Sequence, residues 1–129
     1  LGHSFVPSGI HAGGLRYHGA APLVSLLLDE KLIEAKAFDQ VPCFESGVMF
    51  AKTEGILPAP ESNHAIRAAV EEALDAKAKG EKRVILFNLS GHGHFDLAAY
   101  DAYINGLVKD VPLSKDAVTK GLSSLPKIG

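Results

Sequence analysis

The stretch RVILFNLSGHGHFD, residues 83–96, decides the fold prediction because it joins a strand pattern to a glycine-rich turn. Residues 83–89 form an almost continuous apolar run, which is typical of a strand buried on both faces of a parallel sheet. The turn SGHGH follows at once, and a helical pattern begins near Asp96. Ligands of open α/β sheets bind outside the carboxyl ends of the strands. The stretch therefore predicts a strand, a turn at a ligand-binding edge and a helix.

The remaining sequence alternates helical patterns with short apolar runs. We expect helices over about residues 22–31, 43–52 and 62–79, from about residue 96, and over residues 115–122, with a short strand over residues 35–38. Ser62 is expected to be the N-cap of the third helix, and Gly80 is expected to end it. The alternation predicts the α/β class, as a three-layer α/β/α arrangement with a short parallel sheet.

Apolar residues at helical spacing predict the buried faces of these helices. The expected inward-facing residues are Leu23, Leu26, Leu27 and Leu28 in the first helix, Phe44, Val48 and Phe50 or Ala51 in the second, Ile66, Ala69, Val70, Ala73 and Leu74 in the third, and Leu97, Tyr100, Ile104 and Leu107 or Val108 in the fourth.

Composition limits the classes of function. The 129 residues amount to one domain, and 47% hydrophobic with 22% charged residues is typical of a globular protein. A net charge of −2 offers no basic face for nucleic acid, and no apolar run approaches the roughly 18 residues that a membrane span needs. The single cysteine, Cys43, suits a reducing compartment, so we expect a cytoplasmic protein in which this residue is buried. The chain begins with Leu1 rather than methionine, which is compatible with a fragment.

Several polar residues in glycine-rich surroundings are candidates for a functional site. Ser90 presents a hydroxyl at the end of the expected strand, beside Gly91, although it could simply cap the next helix. Glu54 lies beside Gly55 at the end of an apolar helix, either at the ligand edge or as a solvated helix end. Arg16 could clamp a carboxylate or phosphate, although a surface arginine is the simpler interpretation. Glu61 fits a first-turn residue that the helix dipole stabilises.

The six histidines leave a metal-dependent alternative open. His92, His94 and Asp96 could serve a metal-dependent hydrolase, and three further histidines lie near the start of the chain: His3, His11 and His18. A zinc site needs three or four converging ligands, often at a recognisable spacing such as HExxH, and that spacing does not occur here. Surface or hydrogen-bonding histidines are therefore the favoured interpretation.

Three longer motifs occur in order along the chain: HAGGLRYHG at residues 11–19, AKTEGILPAPESNHA at residues 51–65 and ILFNLSGHGHFD at residues 85–96. Together they resemble the C-terminal section of tryptophan synthase β chains, and they look closest to the second, archaeal-type subfamily. The resemblance extends to about Lys109. It implies that residues 1–129 form the C-terminal part of a domain that binds pyridoxal 5′-phosphate (PLP). Residues 1–19 would be an active-site loop, residues 20–110 the α/β layers, and residues 111–129 a C-terminal helix and tail.

The resemblance implies a fold type II PLP enzyme that joins L-serine and indole by β-replacement to give L-tryptophan. Ser90 matches the serine that hydrogen-bonds the pyridine nitrogen of the cofactor, with Gly91 next to it. A neutral hydroxyl leaves this nitrogen largely unprotonated, which makes the ring a weaker electron sink than an aspartate would. Glu54 matches a glutamate near the cofactor ring and is the candidate catalytic residue.

The loop motif implies the substrate and cation sites. Arg16 stands where the main β subfamily has an aspartate that contacts the substrate hydroxyl, which suggests the hypothesis that O-phosphoserine is the preferred substrate. Tyr17 would flank the path of indole. The carbonyls of Leu15, Tyr17 and Gly19 match positions at a monovalent cation site, for K⁺ or Na⁺.

Two parts of the family's site have no match in this chain. The family's Schiff-base lysine follows a histidine, and no His-Lys pair occurs here; the loop that binds the cofactor phosphate is also missing. We therefore expect the isolated chain to be inactive. The intact enzyme is expected to form a β–β homodimer and could bind a tryptophan synthase α chain. A non-catalytic interaction module with the same fold is the alternative that the missing lysine leaves open.

Overall fold

The computed structural model describes residues 1, 5–17 and 19–126. This part of the chain contains five α-helices: α1 (Pro22–Asp29), α2 (Gln40–Glu54), α3 (Pro60–Lys79), α4 (Leu97–Ile104) and α5 (Lys115–Ser123). Two short 3₁₀ turns, Gly13–Leu15 and Gly93–Phe95, lie in the glycine-rich motifs.

The core lies where α4 packs on the long pair formed by α2 and α3. Phe44 of α2 is 1% exposed, and its ring lies edge-on to Tyr100 at a centroid distance of 5.2 Å. The ring of Tyr103 stacks on the other side of Phe44 at 5.5 Å. Aromatic pairs in such geometries stabilise a core beyond the area that they bury. The polar motifs are therefore supported by a small, mainly aromatic core.

The predicted parallel sheet is absent from the described residues, so this part of the fold prediction was wrong for the chain as it stands. Residues 83–89 and 35–38 have no strand assignment. The side chains of residues 83–89 nevertheless alternate: Ile85 and Phe87 are half-buried, whereas Val84 and Leu86 are 101% and 94% exposed. A strand needs hydrogen bonds to a neighbouring strand, and the described residues supply none to this segment. The apolar run was predicted correctly, but the described residues contain no strand that could pair with it.

Ion pairs to α3 hold the beginning of this extended segment. The guanidinium of Arg83 lies 3.1 Å from Glu72, 2.8 Å from Asp75 and 2.5 Å from Glu81. Lys36 also forms an ion pair with Glu72, at 2.6 Å, and this hydrogen bond lowers the pKa of the Glu72 carboxyl. Exposed ion pairs contribute little to stability individually, so these contacts connect the start of the segment to α3 without adding much to the free energy of unfolding.

The start of the helix α3 differs from the prediction, whereas its end agrees with it. The helix α3 begins at Pro60, because proline is well suited to the first turn of a helix, and its N-cap is Ala59. Ser62 lies inside the first turn, so its prediction as the N-cap was wrong. Gly80 ends the helix in the left-handed conformation at φ 66°, as predicted.

Several helix faces that were predicted to be buried are exposed. The helix α1 buries none of its residues, and Leu74, Leu97, Ile104 and Leu107 are between 58% and 72% exposed. Ala73 is exposed as well, whereas Phe44, Ile66 and Tyr100 are buried as expected. The apolar spacing was real, but the described chain leaves most of the surface of these side chains uncovered. Among the described helices, none is both long and apolar enough to cross a membrane.

Candidate functional site

The turn that contains Ser90 is fastened to the segment between α2 and α3. The hydroxyl of Ser62 donates to the carbonyl oxygen of Ser90 at 2.5 Å, and the amide of Gly93 donates to the carbonyl of Leu57 at 2.9 Å. Gly91 adopts a left-handed φ of 76°, a conformation that favours glycine. The side chain of Ser90 is left exposed at the surface of this turn.

Close packing explains why the second glycine of the turn is needed. A Cβ atom on Gly93 would lie 2.4 Å from the carbonyl oxygen of Pro58 and 2.9 Å from the ring of Tyr100. Any side chain would therefore push the turn away from its support. Gly93 is thus required for contact with the protein itself, whereas the three preceding residues of the turn, Ser90, Gly91 and His92, are exposed.

A buried polar network lies beneath the turn. The hydroxyl of Tyr100 donates to the carbonyl of Pro58 at 2.6 Å, and the amide of Asn63 donates to the same hydroxyl at 3.0 Å. Asn63 is 0% exposed, and burial raises the pKa of Tyr100. Buried polar groups that are fully hydrogen-bonded specify one arrangement of the chain. This network therefore fixes the position of the segment that carries the turn.

Glu54 lies at the C-terminal end of α2, where its side chain is exposed. It stands at the rim of a cavity of about 310 Å³ that is otherwise lined mainly by apolar residues of α2 and α3 and by Ile85 and Phe87. Gly55 then turns the chain at φ 72° toward the segment that supports Ser90. Within the described residues, no hydrogen bond or cavity brings the Glu54 and Ser90 side chains together. Glu54 and Ser90 are therefore linked only indirectly: Glu54 precedes the segment between α2 and α3, and the Ser90 turn is hydrogen-bonded to that segment.

The loop with the HAGGLRY motif is held by backbone hydrogen bonds at two points. The amide of His11 donates to the side-chain carbonyl of Gln40 at 3.2 Å, and the amide of Gly14 donates to a carboxylate oxygen of Glu61 at 2.8 Å. Beyond these points, the guanidinium of Arg16 donates to the carbonyl of Pro7 at 3.4 Å. Tyr17 is 84% exposed. The loop is therefore anchored at its first half, and its candidate substrate residues face outward.

The histidines do not gather into a metal site in the part of the chain that the structure describes, where no group of three metal-ligating side chains occurs. The rings of His92 and His94 lie 4.6 Å apart, and the amide of His94 donates to the ring of His92 at 3.3 Å. His3 and His18 lie outside the described residues. The hypothesis of a metal-dependent hydrolase gains no support.

Cys43 is buried on α2, as expected. Burial raises the pKa of its thiol from 9.0 to about 11, which keeps it protonated at neutral pH. A buried, protonated thiol is a poor nucleophile.

Two residues that hold the candidate site were missed or misjudged from the sequence. Ser62 was expected to cap its own helix, and Glu61 was assigned only to the helix dipole. Both side chains instead reach loops that are distant along the chain, at Ser90 and Gly14. No local signal in the sequence identifies these contacts, because each one joins the first turn of α3 to a loop that lies far away along the chain.

Comparison with known proteins decides the family. The chain is 62% identical over 106 residues to "Tryptophan synthase beta chain 2" of Methanosarcina mazei, covering 82% of this chain and 24% of that protein. It is 64% identical over 110 residues to the Aquifex aeolicus protein of the same description, covering 85% of this chain and 25% of that protein. The chain belongs to the tryptophan synthase β family.

A third relative is similar over a comparable share of the chain. "Tryptophan synthase beta chain" of Pyrococcus horikoshii is 54% identical over 110 residues, covering 85% of this chain and 24% of that protein. No protein-family model matches the chain. The chain therefore spans about a quarter of the length of these tryptophan synthase β relatives, and the predicted resemblance to the second subfamily is confirmed.

Proposed function

We propose that this chain forms one wall of the PLP site of a cytoplasmic tryptophan synthase β-type lyase. The observation that carries the proposal is the Ser90 turn, which the Ser62 hydroxyl and the Gly93 amide fix against the segment between α2 and α3. The turn resembles the family's motif, and its hydroxyl is exposed for contact with a ligand. As a domain, residues 1–129 would be the C-terminal part of the PLP-binding domain, with the loop, layer and tail boundaries at residues 19 and 110.

The described residues fit one side of the cofactor. An exposed serine hydroxyl beside a glycine in the left-handed conformation offers a hydrogen-bond partner and space for a flat ring. The chain has no His-Lys pair, so the lysine that holds PLP covalently would come from the remainder of the longer protein. When bound, PLP supplies an electron sink for bond cleavage next to the α-carbon of an amino acid.

Ser90 and Glu54 would set the protonation of the cofactor. The hydroxyl of Ser90 would hydrogen-bond the pyridine nitrogen while carrying no charge, so the nitrogen would remain largely unprotonated. Glu54 would be the catalytic carboxylate near the ring, held by the end of α2 and the left-handed turn at Gly55. Glu54 would approach the ring from the end of α2, and Ser90 would approach it from the turn that is hydrogen-bonded to the segment after α2.

Arg16 and Tyr17 would bind the substrates. L-Serine and indole would give L-tryptophan and water, whereas O-phosphoserine and indole would give L-tryptophan and phosphate. The guanidinium of Arg16 would be free to bind a substrate, because it makes only a long, exposed hydrogen bond of 3.4 Å to the carbonyl of Pro7. Arginine is well suited to bind phosphate. The exposed ring of Tyr17 would flank the indole. Carbonyls of Leu15, Tyr17 and Gly19 would bind a monovalent cation and stiffen the loop.

The exposed apolar surfaces support the proposal that the remainder of the longer protein covers them. Val84 and Leu86 would pack in a parallel sheet whose other strands belong to the remainder of the longer protein. Intact chains would associate as a β–β homodimer and could bind a tryptophan synthase α chain. Completion of the sheet would restore the three-layer α/β/α arrangement.

Substitution of Ser90 in the longer protein tests its role. Ser90→Ala removes the hydrogen bond to the ring nitrogen and should lower tryptophan formation from serine and indole about tenfold, the equivalent of one hydrogen bond of about 1.4 kcal/mol. Ser25→Ala on α1 is the matched control, because its side chain is exposed and it lies outside both glycine-rich motifs. Equal rates for both variants and the unsubstituted protein would remove Ser90 from the site.

The choice between the two amino-acid substrates is tested separately. We expect O-phosphoserine to have a higher kcat/KM than L-serine, and Arg16→Ala to lower the value for O-phosphoserine alone by tenfold or more. A charged hydrogen bond of about 1.5–3 kcal/mol accounts for a loss of this size. If the unsubstituted protein uses O-phosphoserine no better than serine, the proposed role of Arg16 is wrong.

A further inference from the structure

Adjacent residues of α3 hold the two glycine-rich loops of the site. Glu61 accepts a hydrogen bond from the amide of Gly14, at 2.8 Å, and Ser62 donates one to the carbonyl of Ser90, at 2.5 Å. The loops are 76 residues apart along the chain, between Gly14 and Ser90, and both are anchored within the first turn of one helix. The first turn of α3 therefore sets the separation of the two loops.

The support behind this turn is rigid. Ser62 is 3% exposed and the next residue, Asn63, is 0% exposed, with its amide bonded to the buried hydroxyl of Tyr100. A Cβ atom on Gly14 would lie 3.2 Å from the Cγ atom of Glu61, so the loop packs directly against this side chain. Neither anchoring side chain can move far without disturbing its neighbours.

The geometry points to Glu61 and Ser62 as positioning residues that align the substrate-binding loop with the cofactor-binding turn. This inference rests on the proposed function, because that function assigns substrate contact to Arg16 and cofactor contact to Ser90. Glu61 would act through the backbone of Gly14, two residues before Arg16. Ser62 would act through the backbone of Ser90 itself. Neither residue would touch the reacting atoms.

The two tethers should have separable effects in the longer protein. Glu61→Ala frees the loop and should raise the KM for the amino-acid substrate by tenfold or more, with a smaller change in kcat. Ser62→Ala frees the turn and should weaken PLP binding and shift the absorbance of the bound cofactor. A merely structural role would lower the melting temperature in both variants and change both kinetic readouts together.

A conservative variant tests whether the hydrogen bond is responsible. Glu61→Gln keeps an oxygen that can accept from the Gly14 amide, so it should restore a KM close to that of the unsubstituted protein. Glu45→Ala, at an exposed carboxylate of α2, should leave all readouts unchanged. If Gln fails to restore KM where Ala raises it, the charge rather than the tether matters and the inference is wrong. The inference is also wrong if Glu61→Ala leaves KM unchanged.

Hydrogen–deuterium exchange separates this inference from the proposed function. Glu61→Ala should speed exchange at the Gly14 amide by tenfold or more, whether or not the protein makes tryptophan. An inactive unsubstituted protein with the expected exchange would contradict the proposed function and leave the tether intact. An active protein in which Glu61→Ala changes neither exchange nor KM would contradict the tether. Should Glu61→Ala fail to fold, Gly14→Ala displaces the same contact from the loop side and should likewise raise KM.

Discussion

At the scale of single residues, the candidate site depends on polar groups that are buried and fully hydrogen-bonded. The hydroxyl of Tyr100 joins Asn63 to the carbonyl of Pro58. Tyr100→Phe would leave both partners buried without this hydroxyl and should lower the free energy of unfolding by about 1–3 kcal/mol. Chemical denaturation measures the change, and Tyr103→Phe, at the stacked and more accessible ring, is the control. Equal losses in both variants would contradict the importance of the network.

Gly47 shows how tightly α2 and α3 approach each other. A Cβ atom at this position would lie 2.2 Å from the Oδ1 atom of Asn63. Gly47→Ala should therefore destabilise the chain by about 1–3 kcal/mol, although alanine ordinarily favours a helix. Gly19→Ala is a suitable control because nothing lies within 4 Å of its Cβ position. A neutral or stabilising effect at Gly47 would show that the two helices can separate freely.

Burial of the Cys43 thiol makes the free energy of unfolding depend on pH in the alkaline range. Its thiol has a pKa of about 11 in the folded chain against 9.0 for an unperturbed thiol, because burial disfavours the charged form. The folded state thus binds the proton more tightly, and the resulting stability is complete below pH 9 and is lost as the pH rises to about 11. Cys43→Ala should lose this slope between pH 9 and 11 in measurements of the free energy of unfolding. If the pH dependence of the free energy of unfolding is unchanged in this variant, ionisable groups other than Cys43 cause it.

The outward-facing candidate residues could be predicted from the sequence, whereas the residues that hold their loops could not. Ser90, Gly91 and Arg16 stand in motifs whose glycine content and order along the chain can be read directly. Glu61 and Ser62 act on loops 47 and 28 residues away, and no local pattern encodes such a pairing. Whether the motif residues contact cofactor and substrate stays a prediction.

At the scale of secondary-structure elements, helices were predicted well and strands were not. The helix α3 ends at Gly80 as expected, because glycine tolerates the left-handed conformation at that site. Residues 83–89 have a strand's alternation, yet a strand exists only through pairing with another segment. Helical hydrogen bonds are internal to each element, so their pattern survives in a segment of a longer protein.

The two faces of residues 83–89 should respond differently to charge. Val84 is 101% exposed in this chain, so Val84→Lys should leave its stability unchanged, whereas Ile85→Lys should destabilise it by inserting a charge against α3. In the longer protein we expect Val84→Lys to be destabilising as well, because a sheet would cover that face. Thermal unfolding of these three variants and of the two unsubstituted proteins measures the changes, and tolerance of Val84→Lys in the longer protein would contradict the proposed sheet.

At the scale of the whole molecule, apolar surface is left uncovered. The helix α1 buries none of its residues, and Val84 and Leu86 are almost fully exposed. Exposed patches of this kind promote association, so sedimentation of the isolated chain should show a mass that increases with concentration. Val84→Lys together with Leu86→Lys should reduce this association. A strictly monomeric, soluble chain would show that these surfaces need no partner.

Formation of L-tryptophan from an amino-acid substrate and indole, measured with PLP, tests the central claim that this chain supplies one wall of a cofactor site completed elsewhere. The longer protein should form tryptophan, Glu54→Gln should slow it by tenfold or more, and the isolated 129-residue chain should form none. Tryptophan formation by the isolated chain would contradict the claim that the lysine lies outside it. No formation by the longer protein with either serine or O-phosphoserine would contradict the proposed enzyme and favour a non-catalytic module.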